Sequence, residues 1–114
     1  MDQCLFCRMV AGEIPTDIVH DDDDVLAFRD IAPQAPVHVL VIPKVHAATL
    51  ADLVATSSAT SAAWLAAIPA VAGDLGLIGS GYRTVVNSGD DGGQTVDHVH
   101  AHVLGGRAMT WPPG

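Results

Sequence analysis

The stretch from Asp97 to Arg107, DHVHAHVLGGR, sets His98, His100 and His102 at alternate positions. Read as a strand, it turns all three imidazoles to one face, about 6–7 Å apart, and gives Val99, Ala101 and Val103 to the other. Three imidazoles in line are costly to desolvate without partners, so a purely structural role explains them poorly. Two chemistries suit them. An HxH pair on a strand can offer two ligands to zinc, with a third ligand elsewhere and water in the open position. Alternatively the middle imidazole is a nucleophile toward phosphorus. One ring nitrogen must then be free while the other donates to a fixed acceptor that sets the tautomer.

Upstream, NSGDDGGQT gathers Gly89, Gly92 and Gly93 near Asn87, Gln94 and Thr95. Glycine-rich turns let backbone N–H groups converge on an anion, and beside a histidine strand that anion reads as a phosphate. The two cysteines, Cys4 and Cys7, stand in a CxxC. That spacing reads as a metal site or a redox pair ahead of a structural disulfide. No strand feeds an oxidoreductase helix beside them, which favours the metal.

These residues need elements to hold them. CLFCRMVAGEIP reads as a short helix ended by Gly12, with Leu5, Phe6, Met9 and Val10 as its apolar stripe. DIVHDDDDVLAFRD reads as a hairpin whose turn is the Asp21–Asp24 run, a solvated turn and not a cation site. His20 beside it is a surface residue. VHVLVIP, Val37 to Pro43, is β-branched like a buried central strand. From Ser57 to Gly76 the spacing is helical: Trp64, Leu65, Ile68, Val71, Ala72 and Leu75 form a stripe, and Pro69 should kink or split the helix. YRTVVNSG and HVHAHVLG read as the last two strands. This order predicts an α+β fold with an antiparallel sheet.

The 114 residues amount to one domain, 1–114, with a small core. At 49% apolar and 16% charged, the chain is not a disordered one. A net charge of −8 repels a polyanion, so nucleic-acid polymers are excluded as partners, whereas a local pocket can still hold one phosphate. No apolar run reaches transmembrane length and the N-terminus lacks a signal peptide's layout, so no membrane partner and a cytoplasmic location are expected.

HVHAHVL resembles the signature of the histidine-triad (HIT) superfamily of nucleotide hydrolases and transferases. CLFCRMVAGEIP, DDDVLAFRDIAPQAPVHVLVIPKVH, GYRTVVNSGDDGGQT and GGRAMTWPPG resemble its Hint-like branch of purine nucleoside phosphoramidases, over nearly the whole chain. The resemblance implies a five-stranded antiparallel sheet with one long and one short helix. It also implies a homodimer that continues the sheet, with the long helix and the strand near Tyr82–Ser88 at its interface.

By the same resemblance His100 is the nucleophile, His102 contacts the phosphate, and His38 supports the nucleophile from behind. Asn87, Gly93, Gln94 and Thr95 match the phosphate-side loop, with Thr95 where the branch commonly has serine. Asp30 matches the acid that accepts ribose hydroxyls. Leu5, Phe6, Phe28 and Ile31 match the walls around the base, and Trp111 a residue near the leaving group. Cys4, Cys7, His46 and His98 match the ligands of a structural zinc, with no catalytic metal.

The implied reaction cleaves the P–N or P–O bond of a purine nucleoside 5′-phosphoramidate or an acyl or amino adenylate. It proceeds through a nucleotidyl-histidine to the nucleoside monophosphate. Two other readings stay open: a mononuclear zinc hydrolase with the triad as ligands, and a nucleotide-binding scaffold such as an AMP binder without turnover.

Overall fold

VHVLVIP forms β3 (Val37–Pro43), the middle strand of a five-stranded antiparallel sheet. The computed structural model describes residues 3–114. β3 is flanked by β2 (Val25–Arg29) and β5 (Ala101–Gly105), and β1 (Ile18–Asp21) and β4 (Tyr82–Val86) are the edge strands, giving the order β1-β2-β3-β5-β4. The helices among the described residues are α1 (Leu5–Val10), α2 (Leu50–Thr56) and α3 (Ser58–Asp74). The fold is α+β, with a second short helix beyond the one expected. Its start is a capping box in which the Thr49 side chain accepts from the Asp52 N–H and the Asp52 carboxylate accepts from the Thr49 N–H. Ser57 then ends α2 and caps α3.

The sheet's two faces follow the strand period of two. Val39 pairs with Val103 and Val41 with Ala101. With Val25 and Ala27 they form one fully buried face beneath Trp64, Ile68, Val71 and Ala72 of α3. The Trp64 indole N–H donates to the Val41 carbonyl at 2.9 Å, so the largest core side chain is also satisfied. On the opposite face Leu26, Phe28, Leu40 and Ile42 form a smaller core that α1 covers with Phe6.

Two expectations are corrected and a third, at Pro69, is narrowed. Leu65 is not in the buried stripe: it is 59% exposed, because α3 is apolar nearly all round and spacing alone does not select its buried face. Pro69 does not split the helix; it sits on the exposed side of one continuous α3. The last strand begins at Ala101 and leaves His98 and His100 outside it. The Val99 N–H donates to the Ala47 carbonyl at 2.8 Å, outside the β3–β5 ladder, so pairing starts only where Ala101 meets Val41. Val99, Ala101 and Val103 are nonetheless buried in the helix-side core.

The Asp run is a turn. The Asp22 carboxylate accepts from the N–H groups of Asp24 and Val25, both at 2.8 Å. His20 lies at the surface of this hairpin, partly buried, and pairs with Asp22 at 2.7 Å. Among the described residues no helix is long and apolar enough to cross a membrane.

Candidate active site and metal centre

The smaller sheet face opens into a cleft of about 310 Å³. Leu5, Phe6 and Met9 of α1 form one wall, Phe28 and Leu40 of the sheet another, and Asp30, Thr95, His100 and His102 bring polar groups. Pro15, Thr16, Arg29, Ile31 and Val96 complete the rim, with Ile31 fully exposed.

His100 is only 3% exposed. Its ring stands edge-on to Phe6, centroids 5.2 Å apart, and 5.1 Å from the ring of His102. Its Nδ1 lies 2.8 Å from the His98 carbonyl oxygen. A carbonyl can only accept, so Nδ1 carries the hydrogen and the neutral ring keeps its lone pair on Nε2. This is the arrangement a nucleophilic imidazole needs.

A second chain of hydrogen bonds sets the other two rings. The Gln34 N–H donates to His38 Nδ1 at 3.0 Å, so the His38 hydrogen sits on Nε2. That nitrogen lies 2.9 Å from His102 Nδ1, so His102 accepts there and carries its own hydrogen on Nε2. Strand register explains the contact. Leu40 lies directly opposite His102, and His38 is two residues along β3 on the same face, a diagonal neighbour. Asp30 follows β2, and its N–H donates to the His38 carbonyl at 3.0 Å. One Asp30 oxygen accepts from the Ala32 N–H at 2.8 Å; the other lies 3.5 Å from His38 Nε2.

Burial lowers the pKa of His38, against the pull of Asp30. Burial, followed by the charges of His100 and His38, lowers His102 to about 4, again against Asp30. His102 is therefore neutral at neutral pH and donates through its tautomer, not through charge.

Beside this cleft Cys4, Cys7, His46 and His98 bring two sulfurs and two ring nitrogens within 4.8 Å of one another. His98 Nδ1 lies 3.5 Å from the Cys4 sulfur and 3.6 Å from that of Cys7, and His46 Nδ1 lies 3.3 Å from Cys7. An ion with sulfur at about 2.3 Å and imidazole nitrogen at about 2.0–2.1 Å holds tetrahedral neighbours about 3.3–3.8 Å apart, so the donors fit. His98 Nε2 donates to the Pro43 carbonyl at 2.8 Å, which leaves Nδ1 as the ligating atom.

The remaining sequence-derived residues are placed as follows. Gly93 lies in the tight turn before Gln94, with φ +78°. In the same turn a Cβ at Gly92 would come within 2.4 Å of the Ser88 carbonyl oxygen, so only glycine fits. Asn87, Gly93 and Gln94 do not line the cleft. The Gln94 side chain faces inward: its oxygen accepts from the Gly89 N–H at 3.0 Å, and its nitrogen donates to the carbonyls of Ala48 at 2.6 Å and Val96 at 2.9 Å. His38 lies behind the cleft wall. Trp111 is 81% exposed and does not line the cleft of its own chain. Of the lining residues that sequence reasoning missed, Leu40 was accessible by alternation, since it shares a face with His38 and Ile42. Met9 was accessible from the α1 stripe it shares with Leu5 and Phe6, whereas Pro15, Thr16, Arg29 and Val96 carried no signal.

The profile of the HIT domain family matches residues 11–109. A HIT-like protein of Synechococcus elongatus is 51% identical over 99% of this chain and 98% of its own length. A 14 kDa zinc-binding protein of Zea mays is 46% identical over 96% of this chain and 87% of its own. Among solved structures, a HIT family hydrolase from Legionella pneumophila superposes with a TM-score of 0.93 at 51% identity, covering 98% of this chain and 100% of that one. A histidine triad protein from Clostridium difficile gives 0.89 at 41% identity, covering 96% and 95%.

Proposed function

The chain belongs to the HIT domain family, and from that premise we propose that it is a Hint-like nucleotide hydrolase using His100 as its nucleophile. The observation that carries this reading is the 2.8 Å contact of His100 Nδ1 with the His98 carbonyl, which leaves Nε2 free on a ring that lines the cleft.

The purine would lie between the apolar walls of Phe6, Phe28 and Leu40, and the ribose hydroxyls would reach Asp30. Nε2 of His100 then attacks the 5′-phosphorus. The phosphoramidate nitrogen takes a proton from solvent, the phosphorus–nitrogen bond breaks, and the neutral amine leaves with the bonding pair. Water hydrolyses the nucleotidyl-histidine to the nucleoside monophosphate and restores the ring. The His102 Nε2–H, oriented through His38, would be a fixed donor for the phosphate oxygens, and the exposed Thr95 hydroxyl on the cleft rim would add a second donor. Acyl and amino adenylates would react in the same way at a phosphorus–oxygen or phosphorus–nitrogen bond.

The four donors Cys4, Cys7, His46 and His98 would hold a zinc ion. A closed two-sulfur, two-nitrogen zinc supplies a cross-link and no open coordination position, so its role is structural. A zinc hydrolase with the triad as its ligands is disfavoured by the same geometry. The free nitrogen of His98 faces sulfur, whereas Nδ1 of His102 faces His38.

We further read residues 1–114 as one cytoplasmic domain, and the chain as a homodimer. Among the described residues β4 has a neighbour in β5 alone, so its other edge offers a second copy a place to extend the sheet.

The test is a rapid quench with adenosine phosphoramidate, followed by intact mass. A transient nucleotidyl adduct on the wild type, absent in His100→Ala with turnover down about 10³-fold or more, is the expected result. Turnover without an adduct overturns the covalent route. AMP binding without any turnover would make the chain a scaffold.

A further inference from the structure

We infer that the Cys4–Cys7–His46–His98 centre and the nucleotide cleft are coupled sites: an ion at the first tightens nucleotide binding at the second. By linkage, nucleotide must tighten the ion by the same factor. The inference rests on the zinc and nucleotide readings above and adds a relation between them.

One element joins the two sites. α1 has six residues, too few to be stable as an isolated helix. Cys4 caps it, and Cys7 lies in its first turn. The two residues between these ligands, Leu5 and Phe6, line the cleft, as does Met9 one turn on. Among the described residues, the polar contacts tying α1 to the sheet and its loops are those of Cys4 and Cys7 with His46 and His98. The remaining attachment is apolar, chiefly Phe6 in the smaller core. Whatever draws the sulfurs to the imidazoles therefore also draws the cleft wall into place.

His98 supplies a second link. Its Nδ1 faces the sulfurs, and its carbonyl accepts from Nδ1 of His100. Holding the His98 ring from both nitrogens fixes the residue whose carbonyl sets the tautomer of the nucleophile. Phe6 touches both rings edge-on, with centroids 5.9 Å from His98 and 5.2 Å from His100. An ion that orders these donors thus prearranges the apolar wall and the reactive ring together, and the nucleotide no longer has to order them on binding.

Calorimetry with AMP as the probe tests this on zinc-loaded and zinc-stripped protein. The stripped form should bind AMP about tenfold more weakly or worse. Zinc affinity, read by competition with a colorimetric chelator, should rise by the same factor when AMP is saturating. Hydrogen exchange on the stripped protein should show α1 amides unprotected while those of β3 and β5 keep their protection. Equal AMP affinity in both forms overturns the coupling. Loss of β3 protection also overturns it, because the effect is then global unfolding. Failure of zinc to bind overturns the coupling and the zinc reading but leaves the nucleotide reading standing. AMP binding to neither form overturns the coupling and the nucleotide reading together.

Discussion

His38 Nε2 lies 2.9 Å from Nδ1 of His102, and the backbone N–H of Gln34 holds the far side of the His38 ring at 3.0 Å. A main-chain donor thereby dictates, through one buried imidazole, which nitrogen of a second imidazole faces the cleft with a hydrogen. His38→Ala removes this control and leaves His102 Nδ1 without its partner. The unpaired group should lower stability by about 1–3 kcal/mol. Nitrogen-15 spectra should show His102 as a mixture of tautomers, and kcat should fall more than AMP affinity. A single unchanged His102 tautomer in the variant would show that His38 does not set it.

The pKa of His102 also gives stability a defined pH dependence. The folded ring takes its proton only near about 4, whereas an unfolded histidine titrates near about 6.5. Between these values the unfolded chain binds more protons. Stability from this residue is therefore fully present above the unfolded value and is lost as pH falls toward the folded one. The slope from one such group is at most about 1.4 kcal/mol per pH unit. Urea denaturation from pH 7 down to 4.5 should show stability falling, and His102→Gln should flatten the fall. His38 and His98, whose pKa values burial also lowers, keep part of it in the variant. An identical slope in the two proteins would assign the titration elsewhere.

Metal titration should give one ion per chain. Cobalt in place of zinc should give the absorption of a tetrahedral site with two thiolate ligands. Cys7→Ser should weaken binding by about 10-fold or more, while His20→Ala, on the far hairpin, should leave it unchanged. An octahedral cobalt spectrum would rule out the four-donor set.

Much of this architecture is legible in the residues. The β-branched run of VHVLVIP marks one central strand, and the alternating Val99, Ala101 and Val103 mark the buried face of the segment that becomes the other. The spacing of Cys4 and Cys7 singles out a pair of ligands. Other features are set by contacts far apart in sequence. His98 and His100 leave the ladder because Val99 bonds to Ala47, a partner that local pattern does not reveal. α2 did carry a local signal, Thr49 with Asp52, but its seven residues merge with the apolar run of α3. Leu65 illustrates the opposite limit: where a helix is apolar on all sides, only the packed sheet decides which side is inside.

Gln94 separates two roles that sequence alone leaves joined. As a phosphate ligand it would act on substrate; as observed, its side chain braces Gly89 to Ala48 and Val96. These readings diverge under Gln94→Glu. A carboxylate can still accept from the Gly89 N–H, but it sets negative oxygen against two carbonyl oxygens that had received N–H bonds. Gln94→Ala only removes the bonds and lets water reach the half-buried carbonyls. The glutamate variant should therefore be the less stable of the two, with Gln94→Ala down about 1–3 kcal/mol from wild type by urea denaturation. Both should raise KM through a loosened glycine turn. Wild-type stability in both variants, with only activity lost, would return Gln94 to the phosphate.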